Sequence, residues 1–145
     1  MKTLLEYFLN YFDVLYLDPQ YRITNSSSRG YPTIDASIQL TGPILSWNLA
    51  NNRGQMEVTV APTRLATAEN WFWVSLIKQY VDGESEIKYL SAAEEIEWVR
   101  GNIDRVERVL ADGSTLQSTC EELQALRHSN SDKYWTNWRR QQGLS

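Results

Sequence analysis

Apolar side chains in the opening segment recur at helical spacing. Leu4, Leu5, Phe8, Phe12 and Leu15 fall on one stripe, with Glu6, Asn10 and Asp13 off it, which predicts an amphipathic helix from about Thr3 to Leu15. Asp18-Pro19 stops it, because the residue before a proline is pushed out of the helical region. The period then shortens to two. Thr33 to Leu40 alternates polar and apolar strictly, as a strand with one wet face does. Thr41-Gly42-Pro43 breaks that run, Ile44 to Leu49 predicts a second strand, and Asn51-Asn52-Arg53-Gly54 is a turn signal. Gln55 to Ala61 alternates again through Met56, Val58 and Val60. Connections this short pair neighbouring strands antiparallel. Tyr21 to Thr24 is a candidate fourth strand, followed by a loop over Asn25 to Gly30.

From Thr67 the helical period returns. Thr67-Ala68-Glu69-Asn70 predicts a capped helix to about Val81, burying Trp71, Val74, Leu76 and Ile77 and ending at Asp82-Gly83. On such a helix Trp71 and Trp73 point about 200° apart, which leaves Trp73 as the exposed one. Ser91-Ala92-Ala93-Glu94 is a capping box. It opens a helix carrying Ile96, Val99, Ile103, Val106 and Leu110 as far as Asp112-Gly113, with Gly101 as a place to kink. A further helix starting at Ser114 or Thr115 bears Leu116, Cys120, Leu123 and Leu126, and a last short one covers about Ser131 to Gln142. The expectation is an α+β fold of one domain, residues 1–145: an N-terminal helix, a small antiparallel meander of three or four strands, and a helical C-terminal half packed on one sheet face.

Composition narrows the class. A single cysteine, Cys120, excludes an intrachain disulfide framework and points to a reducing cytoplasm. The opening segment resembles a signal peptide in having a lysine before an apolar run, but Glu6, Asn10 and Asp13 interrupt it and no small-residue cleavage site follows. The net charge of −4 weighs against nucleic acid, and no apolar run is long enough for a membrane. The charge is unevenly spread: residues 82–122 hold eleven acids against four bases, a net of −7, while residues 123–145 carry a net of +3. Such an acidic stretch is either the solvated face of helices or a surface that recruits a basic partner.

Candidate chemistry is sparse. One histidine and one cysteine cannot make a structural zinc site in a single chain. Cys120 and His128 are eight residues apart, which on an intact helix leaves them about 80° and ~12 Å apart, too far for a catalytic dyad. Cys120 reads as a packed core thiol, and His128 as a residue at a helix C-terminus. No nucleophile elbow, S-x-x-K pair or phosphate-binding loop is present. The expectation is therefore no catalytic set, no metal and no cofactor. Two aromatic clusters remain, Trp71-Phe72-Trp73 and Tyr134-Trp135 with Trp138. In the second, Trp135 and Trp138 either dock a terminal helix or, with Arg139 and Arg140, form an Arg/Trp patch for phosphate or an acidic protein.

In length, in the acidic stretch Glu84 to Glu122, in its many tryptophans and in its lack of a catalytic set, the chain resembles the small α+β immunity proteins that bacteria carry against toxins of neighbouring cells. The resemblance implies a cytoplasmic, non-catalytic protein that neutralises a cognate toxin, often a basic nuclease, in a tight complex. On that footing the partner-binding candidates are Glu84, Glu86, Glu94, Glu95, Glu97, Asp104 and Trp73. Alternatives are a small-ligand-binding or regulatory domain, with a pocket lined by residues such as Trp47 and Tyr89, and a homo-oligomeric structural subunit. An enzyme would require a pocket holding a perturbed titratable group.

Overall fold

The computed structural model of the chain describes residues 1–28 and 36–143. Its order is α1 (Lys2–Tyr11), α2 (Asp13–Tyr16), β1 (Arg22–Ser28), β2 (Ala36–Thr41), β3 (Leu45–Asn52), β4 (Gln55–Pro62), β5 (Phe72–Trp73), α3 (Val74–Asp82), α4 (Ala92–Ala111) and α5 (Leu116–Gln141). This is the expected α+β arrangement. The strands form one antiparallel meander in the order β1-β2-β3-β4-β5.

Alternation builds the core. Directly opposed residues share a face in an antiparallel pair, so Leu40↔Trp47↔Val60 and Ile38↔Leu49↔Val58 form two rows on the same side. All six are buried, while Gln39, Asn48 and Thr59 on the other side are only half-buried. Helical side chains Leu4, Phe8, Phe12, Val99, Val106 and Leu123 complete the buried cluster. The β3–β4 hairpin turns through Arg53 and Gly54, both with positive φ, as the tight two-residue type I′ turn requires. Gly42 allows another close approach, since a Cβ there would stand 2.6 Å from the Tyr21 ring.

Several boundaries differ from expectation. The N-terminal helix breaks at Phe12, whose φ of −109° leaves the helical region. Phe12 stays buried there, and Leu5 falls off the stripe and is exposed. β1 runs on through Asn25, Ser26, Ser27 and Ser28, because the β2 edge supplies their partners, with a register shift between Ile23 and Asn25. Thr33, Ile34 and Asp35, expected to begin the second strand, lie outside the described residues, as do Arg29 and Gly30 of the expected loop. The helix expected from Thr67 begins at Val74. Asn70 instead turns inward to donate to the Leu65 carbonyl and accept from Gln124, and Phe72–Trp73 pair with Val60 and Thr59 as a fifth strand. Trp71 is consequently half-buried in extended chain, off any helix.

In the C-terminal half the predicted stop of α3 and start of α4 hold. Gly83 ends α3 in the left-handed conformation with φ +67°. Ser91 and Glu94 form the reciprocal capping box of α4, which continues through Gly101 without a break in the helix. The two last helices are one: α5 runs unbroken for 26 residues. Replacing Ser91 by Ala removes one arm of the cap and is expected to lower stability by about 1 kcal/mol in denaturant unfolding, with the slope of the transition unchanged.

Candidate functional site

Four parts of the chain meet around a cavity of about 450 Å³. The β5–α3 junction contributes Trp73, Ser75 and Leu76, the segment between α3 and α4 contributes Ile87, Tyr89 and Leu90, and α4 contributes Glu95 from its first turn. α5 closes the far side with Arg127, Asn130, Ser131 and Tyr134. Each arrives for a local reason. Trp73 sits where a strand becomes a helix, opposite Thr59 on the half-exposed sheet face. Glu95 lies four residues before Val99 and so on the inward stripe of α4. The reciprocal amide pair Gln79–Asn130, with bonds of 2.7 and 3.3 Å, ties α3 to α5 beside the cavity.

Glu95 is the unusual member. It is 5% exposed, and its one side-chain hydrogen bond among the described residues is a long one, 3.4 Å from the Ser75 hydroxyl. Ser75 Oγ in turn accepts the Leu90 N–H at 3.0 Å. Burial pushes the Glu95 carboxyl up to about 7; the Ser75 hydroxyl opposes that rise and the nearby charge of Glu57 adds to it. Trp73, Glu95 and Leu90 also border a second cleft that holds Glu57 and the β3–β4 hairpin.

Beyond the cavity, α5 outlasts the body of the protein. Its buried residues Leu116, Cys120, Leu123 and Asn130 define an inner face. Tyr134 and Trp138 follow Asn130 at spacings of four and eight on that same face. Tyr134 still borders Ile87 and Tyr89 of the segment between α3 and α4, yet every described residue from Ser131 onward is exposed, including Tyr134 (57%), Trp135 (52%) and Trp138 (41%). The rings contact one another edge-on, with centroids 5.3 Å apart for Tyr134–Trp135 and 5.9 Å for Trp135–Trp138. The expected docking of a terminal helix by Trp135 and Trp138 is thus overturned, because the helix carrying them projects past the core they were to pack against.

The sequence-predicted candidates separate. Trp73 is exposed at the cavity rim, and Glu95 is buried inside it. Glu86 borders a shallower recess with Lys133 and Tyr134. Glu94 holds the cap of α4, and Glu84 binds Lys78. Glu97 and Asp104 are exposed along α4. Other acids of the stretch are engaged internally: Asp82 with Arg105 at 2.8 Å, Glu107 with the Tyr21 hydroxyl, Glu122 with the Tyr80 hydroxyl and Asp112 with Ser114. Much of the acidity therefore holds the helices in place.

Trp47, expected at a pocket, is instead a core residue 1% exposed, whereas Tyr89 does line the cavity. Cys120 is fully buried, which pushes its thiol up. His128 lies within α5, exposed and 3.4 Å from Asp132, not at a helix end as expected. The helix between them is intact, so the two do not meet. No cluster of metal-ligating side chains occurs among the described residues, and no described helix is long and apolar enough to cross a membrane. No family model, curated protein or solved structure matches the chain.

Because the Glu95 carboxyl is raised in the folded protein, the native state binds the extra proton between 4.5, its ordinary value, and about 7. Stability is therefore expected to fall as pH rises through that window and to level off above it. Glu95→Gln should flatten that part of the profile, as measured by urea unfolding at a series of pH values.

Proposed function

We propose that this chain is a non-catalytic protein-binding module that seats its partner on the overhanging inner face of α5 and the adjoining cavity. The observation that carries the reading is the continuation of the buried face of α5 beyond the body, as Tyr134 and Trp138, with Trp135 beside them. Aromatic side chains of this kind dominate binding energy where they become buried, because each removes a large apolar area from water while keeping a polar handle. Exposed in a free monomer, the same area contributes nothing. Trp73 and Tyr89 extend the aromatic surface across the cavity mouth.

Within this class we favour an immunity-type inhibitor acting in the cytoplasm on a basic toxin. The net charge of −4 supports a basic partner over nucleic acid, and Glu86 stands at the root of the overhang beside Tyr134. Glu57 and Glu95 add carboxyl groups at the second cleft beside the cavity. Among the described residues Glu95 has Ser75 as its one side-chain hydrogen-bond partner, and Ser75 in turn accepts the Leu90 N–H, which leaves the second carboxyl oxygen of Glu95 for a bound partner.

The test uses the partner captured on the tagged chain and then purified. Trp135→Ala combined with Trp138→Ala is expected to weaken that complex by roughly a hundredfold, the equivalent of losing one strong aromatic anchor, with no loss of thermal stability. Lysine at Glu97 and Asp104 should change its salt dependence far less. An unaltered affinity in the tryptophan variant would refute the reading. A stable homodimer by light scattering, abolished by the same two changes, would replace it with a second copy of the chain as the occupant.

A further inference from the structure

Among the described residues, the surroundings of Glu95 contain no counterion. Arg127, the one cationic residue lining the cavity, directs its guanidinium elsewhere, to the Glu69 and Trp71 carbonyls at 2.8 and 3.3 Å and over the Phe72 ring at 5.2 Å. On α3, Lys78 is held between Asp82 and Glu84. The groups that do face Glu95 are the Ser75 hydroxyl of α3, the like-charged Glu57 of β4 and the neutral phenol of Tyr7 on α1, itself pushed up to about 12, first by burial and then by the Glu95 charge. A carboxyl group has thus been placed in an apolar hollow, beside a second carboxylate, without the cation that would ordinarily accompany it.

We propose that the cavity is a receptor for an alkylammonium group, its charged head against Glu95 and its methylene stem between Trp73, Tyr89 and Tyr134. The volume of about 450 Å³ lies in the range of small-molecule sites and leaves room for the group and part of whatever carries it. Leu76, Ile87 and Leu90 receive the stem by burial. The three aromatic residues at the mouth cover the stem and keep water from the ion pair behind it, which strengthens the attraction of ammonium and carboxylate. Charge selects the ligand: a neutral alcohol of equal length would fill the same walls yet leave the carboxylate unpaired. The group can be a free amine or the lysine side chain of a bound protein, and in the second case the inference rests on the protein-binding reading above.

The experiment follows the Glu95 side-chain carboxyl by carbon-13 NMR near pH 7 while the intact chain is titrated with n-butylammonium, n-butanol and a short lysine-containing peptide. Butylammonium is expected to bind with saturation and to pull the Glu95 midpoint down from about 7, because pairing favours the charged form. Butanol should bind roughly tenfold more weakly, a difference of about 1.4 kcal/mol. Glu95→Gln should weaken butylammonium binding by a similar factor. Trp73→Leu, which removes part of the aromatic wall, should weaken it as well.

A peptide that binds more tightly than butylammonium assigns the site to a partner's lysine; the reverse order assigns it to a free amine. Equal binding of butanol and butylammonium, an unmoved Glu95 resonance, or undiminished binding to Glu95→Gln would overturn the proposal. If partner capture still depends on Trp135 and Trp138 while butylammonium leaves Glu95 unmoved, this inference alone falls. If the amine binds and no partner is captured, the protein-binding reading falls and the amine site stands.

Discussion

Gln79 and Asn130 exchange hydrogen bonds through both of their amide groups, and the exposed end of the molecule depends on where they meet. Both side chains are buried, so each would suffer a desolvation penalty if the other were absent. The pair clamps the middle of α3 to α5 at the last buried residue of α5. Up to Asn130 the inner face of α5 packs on the core. Past it the helix continues in the same direction with the same face turned inward, bordering the segment between α3 and α4 through Lys133, Tyr134 and Asn137 while its aromatic side chains stay exposed. The wall of the cavity and the aromatic overhang are two consequences of this one anchoring point.

A second constraint acts at the opposite wall. β5 is only two residues long, yet pairing Phe72 with Val60 fixes which way its neighbours point. Phe72 goes into the core, Trp73 goes to the other face, and α3 starts immediately behind them. Ser75 then sits where it can join the Leu90 N–H to Glu95, linking three separate elements through one hydroxyl. The cavity is thus a seam between elements, held by a few polar contacts while its walls stay apolar.

Much of the scaffold was legible in local chemistry. Period-two alternation marked β2, β3 and β4, and Ser91 with Glu94 marked the start of α4, because the groups that decide these features are neighbours in sequence. The start of α3 was not legible. The helical spacing of Trp71 and Val74 competes with an edge-strand pairing to β4, and only the tertiary contact decides between them. The single long α5 was missed for a related reason: Ser129, Asn130 and Ser131 look like a break, yet Asn130 is satisfied by Gln79 from another helix. Of the site, Trp73, Tyr89 and Glu95 are legible in the sequence, but Glu95 reads there as part of an acidic surface. Its place on the Val99–Val106 stripe was the available signal that it turns inward. The exposure of Trp135 and Trp138 had no local signal, since it depends on where the rest of the molecule ends.

The central claim is that a partner covers the inner face of α5 beyond Asn130. A photo-crosslinking amino acid placed at Trp138, and separately at Asp104 on the acidic face of α4, tests it directly in the native host. The account predicts one dominant crosslinked protein from position 138 and little from position 104. The same protein trapped at 104 and absent at 138 would contradict it, moving the contact to the acidic surface and leaving the aromatic overhang without a role.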